Sequence, residues 1–327
     1  MLGLVLAPNL RQRGAGGNVP GEKQEDAMAD ARMRDQMGKG QGFIAALDQS
    51  GGSTPGALKE YGVPETAYNG EAEMFAAVHA MRVRIITAPA FTGEKVLAAI
   101  LFEATMDGEA KGQPVPTYLW KERGVIPFLK CDKGIEAEKD GVSLLKPIPG
   151  LDALLARAVA KGIYGTKMRS VVHHASHAGI AAIVAQQFEI GAQIAAHGLM
   201  PILEPEVSIK APDKTEAEAI LREEILAGLD KLPAGREVML KLTIPTIPDF
   251  YAPLIAHPKV LRVVALSGGY SRDEACELLA HNNDMIASFS RALAEGLHKS
   301  MSDAEFDAAL SASIDEIYRA STVKISH

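Results

Sequence analysis

Eight short apolar or β-branched runs punctuate the chain: Gly42–Asp48, Ala98–Glu103, Val125–Asp132, Ile163–Val171, Leu199–Val207, Val238–Ile244, Leu261–Ser267 and Met285–Ser290. Their lengths suit buried strands, and segments with helical periodicity lie between most of them. Ser176–His197 reads as a long helix closed by Gly198, and Thr215–Leu229 as an amphipathic one. Two further helices are predicted around Pro55–Tyr61 and Glu71–Arg82. Ser271–Ala280 and Ser302–Ala320 each open on serine with glutamate three residues later, the capping-box pattern. Four consecutive runs begin roughly 37 residues apart, the length of one βα unit with its loops. Eight alternating units with no low-complexity linker predict one α/β domain, a parallel (β/α)8 TIM barrel, over residues 28–327.

In such a barrel the chemistry sits at the C-terminal strand ends, so the polar residue closing each run carries the most information. The first run closes on Asp48, ahead of Gln49-Ser50-Gly51-Gly52-Ser53. The third closes on Lys130-Cys131-Asp132, and the fourth carries Lys167 and Arg169. The fifth ends Glu204-Pro205-Glu206, the seventh Ser267-Gly268-Gly269, and the eighth Ser288-Phe289-Ser290-Arg291. The sixth holds Lys241 inside Val238-Met239-Leu240-Lys241-Leu242-Thr243-Ile244. A lysine placed out of water beside other cations is how a protein makes a neutral, carbonyl-attacking, Schiff-base-forming amine. Taken singly, each strand-end charge is an ordinary solvated or paired residue. Seven units converging on one rim point instead to a site. Residues two apart on a strand share a face, so Glu204 with Glu206, Lys167 with Arg169 and Lys130 with Asp132 would bring cations and carboxylates together at the mouth.

Two glycine-containing segments read as anion loops. Ser267-Gly268-Gly269-Tyr270-Ser271 leaves a strand and enters a helix, exposing backbone N–H groups beside hydroxyls, and Ser290-Arg291 adds a cation. Ser50-Gly51-Gly52-Ser53 is the second, beside Asp48. Two such loops on one rim suggest a substrate with a phosphate at each end.

Composition narrows the classes. The 327 residues are 47% hydrophobic with a formal charge of −7, which offers no polyphosphate-binding face and argues against nucleic acid. No apolar stretch approaches the ~18 residues a membrane span needs, so a membrane partner is not expected. Cys131 and Cys276 have no metal-type spacing and fit a reducing, cytoplasmic setting. Residues 1–27 are set apart as an extension or a misassigned start, with Met28 an alternative first residue. A homo-oligomer is compatible with the sequence, which does not specify one.

Seven segments occur in order between Gly40 and Ala320: Gly42-Phe43-Ile44-Ala45-Ala46-Leu47-Asp48-Gln49-Ser50, Leu129-Lys130-Cys131-Asp132-Lys133-Gly134, Thr166-Lys167-Met168-Arg169, Pro201-Ile202-Leu203-Glu204-Pro205-Glu206, Leu240-Lys241-Leu242, Leu266-Ser267-Gly268-Gly269 and Ser288-Phe289-Ser290-Arg291-Ala292-Leu293. Together they resemble the class I, Schiff-base fructose-1,6-bisphosphate aldolases, in particular their shorter bacterial-type branch. The resemblance implies metal-independent, reversible cleavage of a sugar phosphate, fructose 1,6-bisphosphate, to dihydroxyacetone phosphate and glyceraldehyde 3-phosphate. It implies that Lys241 attacks the C2 ketone, that Glu204 protonates the carbinolamine oxygen, and that Glu206 helps hold that network. Lys167 would be the adjacent cation that keeps Lys241 deprotonated and orients the substrate, and Asp48 would take the C4 hydroxyl proton. Ser267, Gly268, Ser290 and Arg291 would hold the 1-phosphate, and Gly269 and Ser288 of the same segments would bind substrate. Ser50, Ser53 and Lys130 would hold the 6-phosphate, and Arg169 would support substrate hydroxyls or phosphate. No metal and no cofactor is implied, because the iminium is the electron sink.

The sequence departs from the animal-type pattern at two places. Gln49 stands where those enzymes have glutamate, and the chain ends Val323-Lys324-Ile325-Ser326-His327 without a terminal tyrosine. Other readings stand beside this one. His173, His174 and His177 open a helix with a His pair four apart, the spacing of a zinc site. A transaldolase-like or 2-keto-3-deoxy-acid aldolase would also use a barrel lysine. A catalytically silent barrel would serve as a scaffold.

Overall fold

The computed structural model describes residues 20–49 and 54–325, with side chains from residue 30 onward. Eight parallel strands form the barrel: β1 (Phe43–Leu47), β2 (Val96–Leu101), β3 (Ile126–Lys130), β4 (Gly165–Val172), β5 (Met200–Val207), β6 (Val238–Thr243), β7 (Val260–Leu266) and β8 (Ile286–Phe289). Each pairs with its neighbours in sequence, β8 pairs back onto β1, and β3 with β4, so the sheet is closed. All eight predicted runs are strands. The second starts two residues earlier than its pattern suggested and stops before Glu103, which instead opens a short helix and pairs with Lys133 and Arg157.

Twelve α-helices occur among the described residues: α1 (Pro20–Lys39), α2 (Thr54–Glu60), α3 (Gly70–Thr87), α4 (Glu103–Asp107), α5 (Val115–Arg123), α6 (Leu151–Ala160), α7 (His177–Ala196), α8 (Lys214–Lys231), α9 (Ala252–Ile255), α10 (Arg272–Ala280), α11 (Arg291–Ala294) and α12 (Asp303–Thr322). Helix α12 carries the full capping box, with Ser302 and Glu305 each satisfying the other's backbone N–H. At α10 the Ser271 hydroxyl accepts from the Glu274 N–H.

Strands buried on both faces read as continuous apolar runs, yet the period of two still separates inside from outside. Ile44 and Ala46 of β1, Ala98 and Ile100 of β2, Ile126 and Phe128 of β3, Ile202, Met239, Val264 and Ile286 pack together inside the barrel. Their neighbours Phe43, Ala45, Leu47, Leu129, Leu203, Leu240 and Leu242 face the helices. Helix α1 closes the N-terminal end of the barrel by inserting Met33 and Met37 into the inner cluster. Gln36 and Arg262 hold it there: Gln36 donates to the carbonyls of Leu97 and Gly124, and Arg262 to those of Gly38 and Gly40. That closure leaves only the opposite end for chemistry. Helix α1 runs through residue 28, and residues 1–19 lie outside the described residues.

Candidate active site

Continuing the inward positions one step toward the C-terminal rim replaces hydrocarbon by charge. After Ile44 and Ala46 comes Asp48, after Ile126 and Phe128 comes Lys130, after Ile202 comes Glu204, and after Met239 comes Lys241. Lys167 of β4 sits level with Lys130, its register partner. These side chains, with Gln49, Arg169, Glu206, Ser267, Gly268, Ser288, Ser290 and Arg291, line one cavity of about 320 Å3. The sequence brings them together because a parallel barrel stacks every strand end on one rim.

The centre of the cavity is a buried chain of alternating charges. Lys241 Nζ lies 3.0 Å from Glu204 Oε1, and Lys167 Nζ lies 2.9 Å from Glu204 Oε2. Lys167 Nζ also pairs with Asp48 Oδ2 at 2.6 Å. All four residues are buried. Removing such ions from water costs several kcal/mol each unless partners surround them, and here every carboxylate touches an amine. Burial by itself would raise the Asp48 carboxyl, but Lys167 and Lys241 hold it well below the ordinary carboxylate range. Burial would lower the Lys167 ammonium, and Asp48, Glu204 and Asp132 outweigh it and push the group up. Asp48 is thus a fixed anion and Lys167 a fixed cation, while Glu204 is shared by both lysines.

A second ring of charge surrounds this one. Lys130 is paired with Asp132, through both its carboxylate and its backbone carbonyl. Burial would raise the Asp132 carboxyl, and Lys167 and Lys130 reverse the shift. The Arg169 side chain is paired with Glu206. Burial would lower the Arg169 guanidinium, but Glu206 raises it.

The rim beside Lys241 is formed by the turn after β7 and by Arg291. Gly268 and Gly269 have φ of +61° and +121°, the left-handed half of backbone space that favours glycine. A Cβ on Gly268 would stand 2.7 Å from Ile209 Cγ2, so the turn also needs the missing side chain. A Cβ position on Gly269 falls 3.6 Å from Arg291 Nη2, which places that guanidinium over the turn. Gly269 therefore borders the cavity, whereas Ser267 and Gly268 line it. Ser288 Oγ is buried without a hydrogen-bond partner among the described residues.

Ser50 and Ser53 lie outside the described residues. The three histidines stay apart from the cavity. His173 Nε2 is 3.0 Å from Ser143 Oγ, His174 Nε2 is 3.8 Å from Glu138 Oε1, and His177 is the first residue of α7. Among the described residues no three His, Cys, Asp or Glu side chains gather as a metal site. Burial pushes the Cys131 thiol up to about 12, which leaves it a packed, unreactive group.

Two residues of this region were not assigned from the sequence. Arg82 of α3 is wholly buried beneath Gln49 and bonds to it. Its position was readable: Met74, Val78, Met81 and Ile85 mark the inward stripe of α3, and Arg82 follows Val78 by four. Asp132, visible as sharing a face with Lys130, turns out to be that lysine's own counter-ion.

The closed parallel barrel carries lysines and carboxylates buried at its C-terminal rim, the arrangement of an α/β-barrel enzyme, and solved structures share the fold. The chain is similar to a fructose-bisphosphate aldolase from Plasmodium falciparum, solved in complex with TRAP and a small-molecule inhibitor. That likeness has a TM-score of 0.70 at 20% identity over 92% of this chain and 97% of that one, and at such identity it shows the fold. An archaeal fructose 1,6-bisphosphate aldolase is similar with a TM-score of 0.50 at 11% identity over 90% and 99%. Sequence relatives go further. The chain is 58% identical to "Fructose-bisphosphate aldolase class 1" of Synechocystis sp. over 86% of its own length and 93% of that protein's. It is 55% identical to the protein of the same name from Porphyromonas gingivalis, over 88% and 97%. The family model described as fructose-bisphosphate aldolase class-I matches residues 30–247. The chain belongs to the class-I fructose-bisphosphate aldolase family, and it is a lyase.

Proposed function

We propose that Lys241 is the residue that forms the Schiff base with C2 of fructose 1,6-bisphosphate, and that Glu204, Lys167 and Asp48 serve that reaction. The observation that carries this assignment is the position of Glu204, whose two oxygens lie 3.0 and 2.9 Å from the amines of Lys241 and Lys167. Glu204 takes a proton from Lys241, and attack of the resulting neutral amine on C2, with one N–H proton passing to the former ketone oxygen, gives a carbinolamine. Glu204 is within reach to protonate its hydroxyl, which leaves as water and yields the iminium. Asp48, kept ionised by Lys167, accepts the C4 hydroxyl proton as the C3–C4 bond breaks. The bonding pair flows into the iminium, so glyceraldehyde 3-phosphate departs and the enamine of dihydroxyacetone phosphate stays on Lys241. The pairing that holds Asp48 ionised also weakens it as a base. As the proton moves, the C4 oxygen becomes an acceptor to which Lys167 can donate in place of Asp48.

Ser267, Gly268, Ser290 and Arg291 are assigned to the 1-phosphate, with Gly269 shaping the turn and Ser288 lining the cavity beneath. Lys130, with Ser50 and Ser53, is assigned to the 6-phosphate, and Arg169 with Glu206 to the wall between the two ends. Incubation with dihydroxyacetone phosphate and borohydride tests the central assignment. Peptide mapping should find one reduced adduct, on Lys241, and none in Lys241→Met. An adduct on Lys167 or Lys130 instead, or none in the unmodified protein, overturns it.

A further inference from the structure

Arg82 is a buried cation that the reaction as described does not use. Its side chain is wholly buried, and among the described residues it forms no ion pair with a carboxylate. Nη1 donates to Thr105 Oγ1 at 2.9 Å. Nη2 donates to the backbone carbonyl of Gln49 and, at 3.4 Å, to Gln49 Oε1. The Phe102 ring centre lies 5.6 Å from Cζ. Burial lowers the guanidinium to about 10, and the charge of Asp48 offsets part of that loss. A charge held out of water with only neutral acceptors is costly, and most of those acceptors belong to one residue, Gln49. Gln49 lines the cavity next to Asp48, and its Nε2 donates to Ser290 Oγ at 2.9 Å.

The chemistry of the three groups fixes their orientation. A guanidinium has no lone pair with which to accept, so the Gln49 amide oxygen, 3.4 Å from Arg82 Nη2, is the end turned to Arg82, and the nitrogen turns to Ser290. The Ser290 oxygen then accepts from Gln49, and its own O–H is free to donate elsewhere. Arg291, the next residue, carries its guanidinium to the same rim. A glutamate at position 49 would do the reverse: as an acceptor-only group it would draw the Ser290 O–H to itself. We propose that Arg82 and Gln49 are positioning residues that fix Ser290 as a hydrogen-bond donor to the phosphate beside C1 of the ketose. This rests on the assignment of Ser290 to that phosphate.

Steady-state kinetics with fructose 1,6-bisphosphate separate the two. Arg82→Met, Gln49→Met and Ser290→Ala should each raise KM about tenfold, the loss expected for one hydrogen bond to a charged group. Turnover number should stay within about threefold, because a phosphate contact binds ground and transition states alike. Arg82→Lys, which keeps a donor for Gln49, should recover part of the loss. The double variant Arg82→Met/Ser290→Ala should be no worse than Ser290→Ala alone, since both changes break one chain. If Ser290→Ala raises KM while Arg82→Met and Gln49→Met do not, the positioning role fails and the phosphate assignment stands. If the double variant's losses multiply, the role fails as well. If Ser290→Ala leaves KM unchanged, the phosphate assignment fails and takes the relay with it.

Discussion

Glu204 is the residue on which the charge pattern turns. Both of its oxygens face amines, Oε1 that of Lys241 and Oε2 that of Lys167. Glu204→Gln keeps the shape of the side chain but removes proton transfer at that point. Its turnover number should fall by about 10²–10⁴-fold, the usual contribution of a positioned acid or base. Borohydride trapping on Lys241 should survive at a slower rate. A variant that turns over at the wild-type rate would assign the proton to another group. Lys130 tests the far end of the cavity. Its ammonium is already held by Asp132, which fixes it in place rather than leaving it to move with solvent. Lys130→Ala should weaken fructose 1,6-bisphosphate more than fructose 1-phosphate, and equal losses on both substrates would refute the 6-phosphate assignment.

At the scale of elements, helix α1 and the strand ends divide the barrel into a hydrocarbon half and a charged half. Met37 is fully buried in the inner cluster that also holds Ile44 and Ile100. Truncating it should open a cavity and cost about 2–5 kcal/mol of stability, read as a lower urea midpoint. The KM of Met37→Ala should stay at the wild-type value, because the helix acts only as a plug at the opposite end. A change in KM without a loss of stability would show that α1 communicates with the rim. The turn after β7 works in the other direction. Its two glycines take left-handed conformations that let the turn lie close against Ile209 and Arg291.

For the whole molecule, the buried charges make stability depend on pH with a sign that follows from their shifts. Asp48 is lowered in the fold, so its contribution is present above the unfolded carboxyl value of about 4 and is lost as pH falls through the lower folded value. Lys167 is raised, so its contribution is complete below about 10.5 and is lost as pH rises through its folded value. Between about pH 4 and 10.5 these two groups contribute their full stabilisation. Urea midpoints measured across pH should therefore fall on both sides of that window. The double variant Asp48→Asn/Lys167→Met should lose part of both slopes, and slopes of undiminished steepness would place their source elsewhere.

The eight strands were legible in the chain, because each apolar run matches the length and face alternation of a strand buried on both sides. The same pattern also determined which residues stand at the strand ends, since closing a parallel barrel brings those ends to one rim whatever the helices do. Lys241, Glu204, Lys167 and Asp48 were legible for that reason. The tertiary structure alone decided who pairs with whom. Nothing in the spacing says that Glu204 bridges two lysines, that Asp132 holds Lys130, or that Arg82 reaches from α3 to Gln49, which lies 33 residues earlier in the chain. Those pairings depend on register and side-chain reach between segments far apart in sequence. A one-dimensional pattern fixes the face on which a residue stands, and only packing fixes its neighbours.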